Sequence, residues 1–278
     1  MEKLSQALEK ARAIREGQSP GRAPDRVPPR AGAPRRGGAA VDAAWAALRE
    51  IVPDPAVLIR NRVVTLDPGH EATPFDILRT KALLQMRRNG WRRLAITSPG
   101  PACGKTTTSL NLSLSLARQS ELRSMLLEMD LRRPAMSKIL GHRPEADIGD
   151  MLTGALPFAE QALRVRDNLA ISMSARPHRD PARYMLSAET AQTLDALEAA
   201  YQPDLVVFDL PPLLVSDDAR AFLGKVDCAL MVVRAEQSSM AQIDACEREI
   251  SEHTNVLGMV LSHAKFADAE GYYDYDYR

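Results

Sequence analysis

The sequence predicts an α/β fold with a mostly parallel central sheet flanked by helices. Three observations carry this. Short apolar runs alternate with helical patterns from residue 93 to residue 261, as expected for strand–helix–strand units. The runs are apolar throughout, as in strands covered on both faces. Several of them end on acidic residues or on a glycine-containing turn, the usual place for ligand groups in such sheets.

Strands are expected at 93–97, 124–129, 169–173, 205–209, 228–233 and 257–261. Helices are expected at 104–118, 134–140, 148–153, 158–163, 187–200, 216–223 and 238–253. Ahead of this core, residues 41–51 suggest a short helix around Trp45 and Leu48. Val63-Val-Thr-Leu reads as an edge strand, and Phe75 to Arg88 as a helix. Residues 1–16 are expected to form an N-terminal helical extension, with Leu4, Ala7, Leu8, Ala11 and Ile14 at helical spacing. Residues 17–40, rich in Pro, Gly, Ala and Arg, read as a disordered linker. The main domain is expected over 41–264, followed by a flexible tyrosine-rich tail at 265–278.

The segment Leu94-Ala-Ile-Thr-Ser-Pro-Gly-Pro-Ala-Cys-Gly-Lys-Thr-Thr joins an apolar strand to a helix start. Backbone amides there would face phosphate oxygens, aided by the helix dipole. This is the pattern of a P-loop NTPase. Gly100, Pro101, Ala102, Cys103, Gly104, Lys105, Thr106 and Thr107 are the candidate nucleotide-binding residues. Lys105 would reach the β and γ phosphates, and the Thr106 hydroxyl would ligate Mg²⁺. The match is imperfect, because Pro99 stands where the general pattern has its first glycine. Ala102 carries a steric cost if the loop needs positive φ there. Cys103 is read as a small tolerated residue.

Two acidic strand ends complete the candidate site. Asp209, in Leu205-Val-Val-Phe-Asp-Leu-Pro-Pro, has the place of a Walker B aspartate. Glu128 and Asp130, in Glu128-Met-Asp-Leu-Arg-Arg-Pro, alternate along a strand and could share a face. They either hold metal or accept a proton, or they pair with Arg132 or Arg133. The candidate catalytic residues are Lys105, Glu128, Asp130 and Asp209. Thr106, Glu128 and Asp209 are the candidate metal ligands. In the tail, Tyr272, Tyr273, Tyr275 and Tyr277 look like phosphate acceptors. A fully extended stretch from Lys265 would span up to ~45 Å, enough to enter a neighbouring copy.

From about Val63 to Arg278 the chain resembles the bacterial tyrosine kinases that autophosphorylate and control capsule and exopolysaccharide production. The elements that carry the resemblance occur in family order. They are Ser98 to Thr107, Glu128 to Pro134, Ile148-Gly-Asp-Met-Leu-Thr-Gly, Asp209-Leu-Pro-Pro, Asp218-Ala219 and the tyrosine tail. The resemblance implies an ATP- and Mg²⁺-dependent tyrosine autokinase that regulates polysaccharide polymerisation and export, acting on its tail in trans. It also implies homo-oligomers and a membrane-bound chain-length or co-polymerase partner that activates the kinase. Arg132 would contribute to the nucleotide site, and Ser262 replaces an asparagine that contacts adenine in the family. The family's Glu-x-x-Arg-x-x-Arg assembly motif is reduced to Thr73-Pro-Phe-Asp-Ile-Leu-Arg79, where only the last arginine survives. The start, Met1 to Arg12, is similar to members without membrane spans.

Composition narrows the classes. The 278 residues carry 36 Lys plus Arg and 36 Asp plus Glu, which argues against a globally basic nucleic-acid binder. Cys103, Cys228 and Cys246 fit neither a disulfide framework nor a zinc site. No apolar run approaches the ~20 residues needed to span a bilayer. The expected home is the cytoplasm, with recruitment to the inner face of the plasma membrane by a partner. Two readings from other classes stay open. One is a nucleotide-dependent switch like the partitioning and division-site ATPases. The other is a kinase-like scaffold of the export machinery that is weak in catalysis.

Overall fold

In the computed structural model, residues 38–264 are described; the expected N-terminal helix, most of the linker and the tail lie outside them. Eight strands form one sheet: β1 (Arg49–Glu50), β2 (Arg93–Thr97), β3 (Ser124–Glu128), β4 (Leu163–Val165), β5 (Leu169–Ser172), β6 (Leu205–Asp209), β7 (Cys228–Arg234) and β8 (Asn255–Ser262). Their order is β1-β4-β5-β3-β6-β2-β7-β8. Every pairing is parallel except β4 with β5.

The period of two along each strand divides the core into two layers. Ala95, Met125, Leu127, Val206, Phe208 and Met231 face one side. Leu94, Ile96, Leu126, Val207, Leu230 and Val232 face the other. The first side is covered by α1 (Ala39–Ala46), α9 (Ala188–Tyr201), α10 (Asp217–Leu223) and α11 (Met240–His253). The second is covered by α2 (Pro55–Arg60), α3 (Thr73–Asn89), α4 (Lys105–Ala117) and α5 (Met136–Leu140). Three further short helices, α6 (Ile148–Leu152), α7 (Phe158–Gln161) and α8 (Ala182–Leu186), lie between α5 and α9 in the chain.

Helix α4 is enclosed. From Thr108 to Ala117 every residue is buried. Its four leucines alternate with Ser109, Asn111, Ser113 and Ser115, small side chains that allow close approach on several sides. Asn111 has a defined task. Its Oδ1 accepts from Val64 N at 2.8 Å, and its Nδ2 donates to Arg62 O at 2.9 Å and Thr107 O at 2.9 Å. This explains one failed expectation. The stretch from Val63 is no strand, because its backbone groups are met by a helix side chain instead of a neighbouring ladder.

Other boundaries also differ from the expectations. The helix expected over 41–51 ends at Ala46, and Arg49–Glu50 joins the sheet edge. The helix expected over 158–163 stops at Gln161, and Leu163–Val165 forms the one antiparallel strand. Neither α2 nor α8 was expected; each is only five or six residues long, too short for a periodic signal. Among the described residues no helix is long and apolar enough to cross a membrane.

Asn111→Ala strands two backbone groups of the Arg62–Val64 segment. The expected loss is about 2 to 4 kcal/mol in urea denaturation. An unchanged midpoint would show that the side chain does not hold this segment.

Candidate active site

The same strand alternation that builds the two layers aims the acids. Asp209 follows Leu205 and Val207 on the face covered by α4, whose first residue is Lys105. Glu128 is its register partner on β3. The turn from Ser98 to Gly104 lies beyond the carboxyl end of β2, between β6 and β7.

The turn has the shape expected of a phosphate cradle, with one residue in strain. Gly104 adopts φ +84° and leads directly into α4. Ala102 adopts φ +58°, so the left-handed conformation falls on a residue with a Cβ. Two outside groups hold the turn in place. Arg234 Nη1 donates to Ala102 O at 3.0 Å, and Ser262 Oγ donates to Cys103 O at 2.7 Å. Ser98 Oγ donates to Gly100 O at 2.6 Å. Pro101 has no N–H, so the cradle's amide donors come from its other residues.

Lys105 is buried, and its Nζ lies 3.8 Å from Asp130 Oδ2. Asp209 is fully buried. Burial pushes its carboxyl up to about 6, against the opposing pull of Lys105 and of the Thr106 and Ser109 hydroxyls. Ser109 Oγ donates to Asp209 Oδ1 at 3.0 Å. Among the described residues no donor meets Asp209 Oδ2. A buried carboxylate oxygen without a partner is costly. It suits a hydrated Mg²⁺, which takes oxygen ligands and keeps several waters. The site's chemistry therefore fits the metal expected at Thr106 and Asp209.

Burial likewise raises the Asp130 carboxyl, with Lys105 and the Arg133 N–H opposing. Glu128 is placed differently. Its Oε1 accepts from Ala135 N at 2.6 Å and Met136 N at 2.8 Å, and its Oε2 accepts from Ser174 N at 2.9 Å. Burial still pushes this group up to about 7, against those three amides, with the nearby Asp209 adding to the rise. Three acceptor positions are thus filled by backbone at the start of α5 and after β5. Little capacity is left for a metal.

Arg132 is also committed elsewhere. It forms a forked pair with the buried Asp218, Nε to Oδ2 at 3.1 Å and Nη2 to Oδ1 at 3.3 Å. Neither Arg132 nor Arg133 ion-pairs with Glu128 or Asp130 among the described residues. Ser262 Oγ, besides Cys103 O, lies 3.2 Å from Val233 O, so its hydroxyl faces the back of the cradle. Arg79 turns inward, with Nη1 donating to Ser115 O and Oγ at 3.1 Å each.

The structure brings Lys105, Thr106, Asp130 and Asp209 together and puts Glu128 beside them. The four tail tyrosines lie outside the described residues. Several contributors had no distinct sequence signal. Ser109 and Arg234 are ordinary residues of a helix and a strand end. Asp147 accepts from Gly149 N at 2.8 Å, Ala175 N at 3.0 Å and pairs with His178 Nε2 at 2.8 Å, which fixes the turn after β5. The spacing Asp147-Ile-Gly, an acid just before a helix start, could have flagged it as a cap.

Two variants probe this geometry. Ala102→Gly relieves the strained φ and is expected to raise stability by about 1 kcal/mol in chemical denaturation. A loss of stability would contradict the strain. Asp209→Asn removes a buried charge. Burial pushes the folded carboxyl up to about 6 from its ordinary 3.8, so the folded state takes up its proton as pH falls from about 6 to 4. Wild-type stability therefore gains from this group on acidification and loses it as pH rises through 6. Asp209→Asn is expected to be more stable than wild type at pH 8 by up to on the order of 3 kcal/mol, with the difference shrinking toward pH 4. Equal pH profiles for the two proteins would contradict the assignment.

No family model matches the chain. It is 28% identical over 197 residues to EpsB of Ralstonia nicotianae, covering 70% of this chain and 25% of that protein. It thus spans about a quarter of the length of this curated relative. It is 22% identical over 182 residues to the tyrosine-protein kinase CpsD of Streptococcus pneumoniae, covering 64% of this chain and 79% of that one. Among solved structures, the kinase domain of Escherichia coli tyrosine kinase ETK superposes with a TM-score of 0.62 at 22% identity, over 73% of this chain and 80% of that one. The Pyrococcus furiosus cell division ATPase MinD superposes with a TM-score of 0.51 at 22% identity, over 61% and 71%. The fold is similar to that of both solved structures. In sequence the chain is a relative of proteins named as bacterial tyrosine-protein kinases, and in fold it is similar to their kinase domains.

Proposed function

We propose that this chain is an ATP-dependent protein-tyrosine autokinase of a capsule or exopolysaccharide system. The observation that carries this reading is the convergence of Lys105, Thr106, Asp130 and the unpartnered Asp209 Oδ2 at the mouth of one glycine turn. The similarity to tyrosine-protein kinases and the four tail tyrosines supply the acceptor chemistry.

Residue roles follow from the contacts. Turn amides and Lys105 hold the phosphates. Thr106 and Asp209 hold Mg²⁺, Asp209 directly or through water. Bound Mg²⁺ neutralises charge on the phosphates during transfer. Asp130, whose affinity for protons burial increases, accepts the proton of the attacking tyrosine hydroxyl. Glu128 gives its oxygens to the backbone and so sets the position of the Asp130 segment; of the four candidate catalytic residues it has the most structural role. The domain occupies residues 41–264. Tyr272, Tyr273, Tyr275 and Tyr277 are phosphorylated on a neighbouring copy. A membrane-bound chain-length or co-polymerase protein brings the cytoplasmic kinase to the inner face of the plasma membrane and activates it.

Phosphotyrosine on residues 272–277, read by mass spectrometry of the full chain made in its own host, tests the reading. Wild type carries it. Lys105→Met reduces it at least about 100-fold, the scale expected when a positioning charge at phosphoryl transfer is lost. Nucleotide hydrolysis with no phosphotyrosine would favour an ATPase switch of the MinD type instead. Undiminished labelling in Lys105→Met would defeat the site assignment.

A further inference from the structure

The sheet ends on one side in a strand whose outer edge is bare. β8 is last in the strand order, and among the described residues it pairs with β7 alone. Its eight residues, Asn255–Ser262, carry no charge. Edge strands usually carry charges, a proline or a cover, because their free N–H and C=O groups invite another strand. The side chains add to this invitation. Met259 pairs in register with Met231, and Leu261 with Val233, which places both on the first side of the sheet. Each is 53% exposed, and Met240, which opens α11 over that side, is 52% exposed. The second side has a different character. Val260 packs onto its core, as does Leu78 of the neighbouring α3. Lys81 and Arg88 of α3 share one helix face and are exposed. Among the described residues neither makes an ion pair.

The chain itself supplies a strand for this edge. His263 adopts φ +56°, a turn conformation, so the backbone leaves the line of β8 at once. Residues 263–271 then lead to Tyr272-Tyr-Asp-Tyr-Asp-Tyr277. From 273 to 277 tyrosine and aspartate alternate strictly, which is the period of a strand with one aromatic and one acidic face. Tyrosine also favours strands. The two faces match the two sides of β8. Aromatic rings suit Met259 and Leu261, and carboxylates suit the side of Lys81 and Arg88. One antiparallel register meets both demands. Tyr273 stands opposite Leu261 and Tyr275 opposite Met259, which puts Asp274 opposite Val260 and Asp276 opposite Gly258, on the side of α3.

We propose that residues 272–277 add to β8 of their own chain as a ninth strand, antiparallel to it. The tether selects the same chain over a second copy. Residues 263–271 have ample length to turn back across the ~4.8 Å between neighbouring strands. A short tether also holds the segment at an effective concentration in roughly the millimolar range. Backbone pairing supplies the affinity and the two faces set the register, as in other strand additions to a free edge. The edge is thus a resting place for the tail, separate from the nucleotide site. It needs no phosphotransfer and stands apart from the kinase reading.

Hydrogen exchange of the full chain, dephosphorylated and free of nucleotide, reads the pairing directly. Strand addition protects the β8 amides that point away from β7. Tyr273→Pro with Tyr275→Pro removes two backbone donors and two rings from the added strand. It is expected to speed exchange of those β8 amides at least about tenfold and to leave the inner strands β2, β3 and β6 unchanged. A second variant alters the edge instead of the tail. Met259→Lys with Leu261→Lys is expected to speed chymotrypsin cleavage at the tail tyrosines at least about fivefold. Circular dichroism establishes that this variant is folded; should it not fold, the proline variant decides. Equal β8 exchange in wild type and the proline variant overturns the proposal, as does unchanged cleavage in a folded lysine variant. Protection that rises with protein concentration, together with a dimer in sedimentation, would give the edge to a second copy and overturn it as well.

Discussion

One buried ammonium, Lys105, sits among carboxylates in a space from which water is mostly excluded, and the rest of the site is arranged around that fact. Asp130 faces Lys105 at 3.8 Å, and Asp209 lies within its field. Opposite charges buried together offset part of their desolvation, yet they do not cancel it. Asp209 retains an oxygen with no donor among the described residues. The fold leaves a local deficit of positive charge that a bound metal cation would fill. Such a deficit is the expected signature of a site built for a cation, because a purely structural carboxylate would have found its donors.

The sheet makes this possible through register. β3 and β6 pair with Glu128 opposite Asp209, and both strands end at the same level as the turn after β2. Glu128 then acts as an anchor. Its three amide contacts join the start of α5 to the turn after β5 and keep the segment carrying Asp130 close to Lys105. Its side chain, one methylene longer than an aspartate, suits that reach. Ser262 has a comparable supporting position behind the cradle, and Arg79 supports α4 from inside. Glu128, Ser262 and Arg79 thus each have structural work within this chain. Ala102 remains the exception, since its left-handed φ is strained and Arg234 only restrains it.

Much of this was legible in the sequence for a physical reason. Strands buried on both faces are continuous apolar runs, so the five inner core strands appear within a residue of their predicted places, and the half-exposed edge strand β8 within two. The Gly104-Lys105-Thr106 helix start and the acid at Asp209 each have a local sequence signal, and the fold sets Asp209 within the field of Lys105. What stayed hidden depends on contacts distant in sequence. The Val63 segment looks like a strand by composition, but Asn111, 47 residues from Val64, satisfies its backbone. The inward turn of Arg79 and the fork of Arg132 onto Asp218 follow from packing, which no local pattern encodes. Leu163–Val165 is three residues long, below the length at which alternation can be seen.

A crystal structure of the full chain grown with ADP and Mg²⁺ tests the central claim most directly. The account predicts the β-phosphate on the amides at the start of α4 and on Lys105 Nζ, with the metal bound to Thr106 and joined to Asp209 Oδ2 directly or through one water. Nucleotide bound away from this turn, or Asp209 Oδ2 still without a partner in the complex, would contradict it.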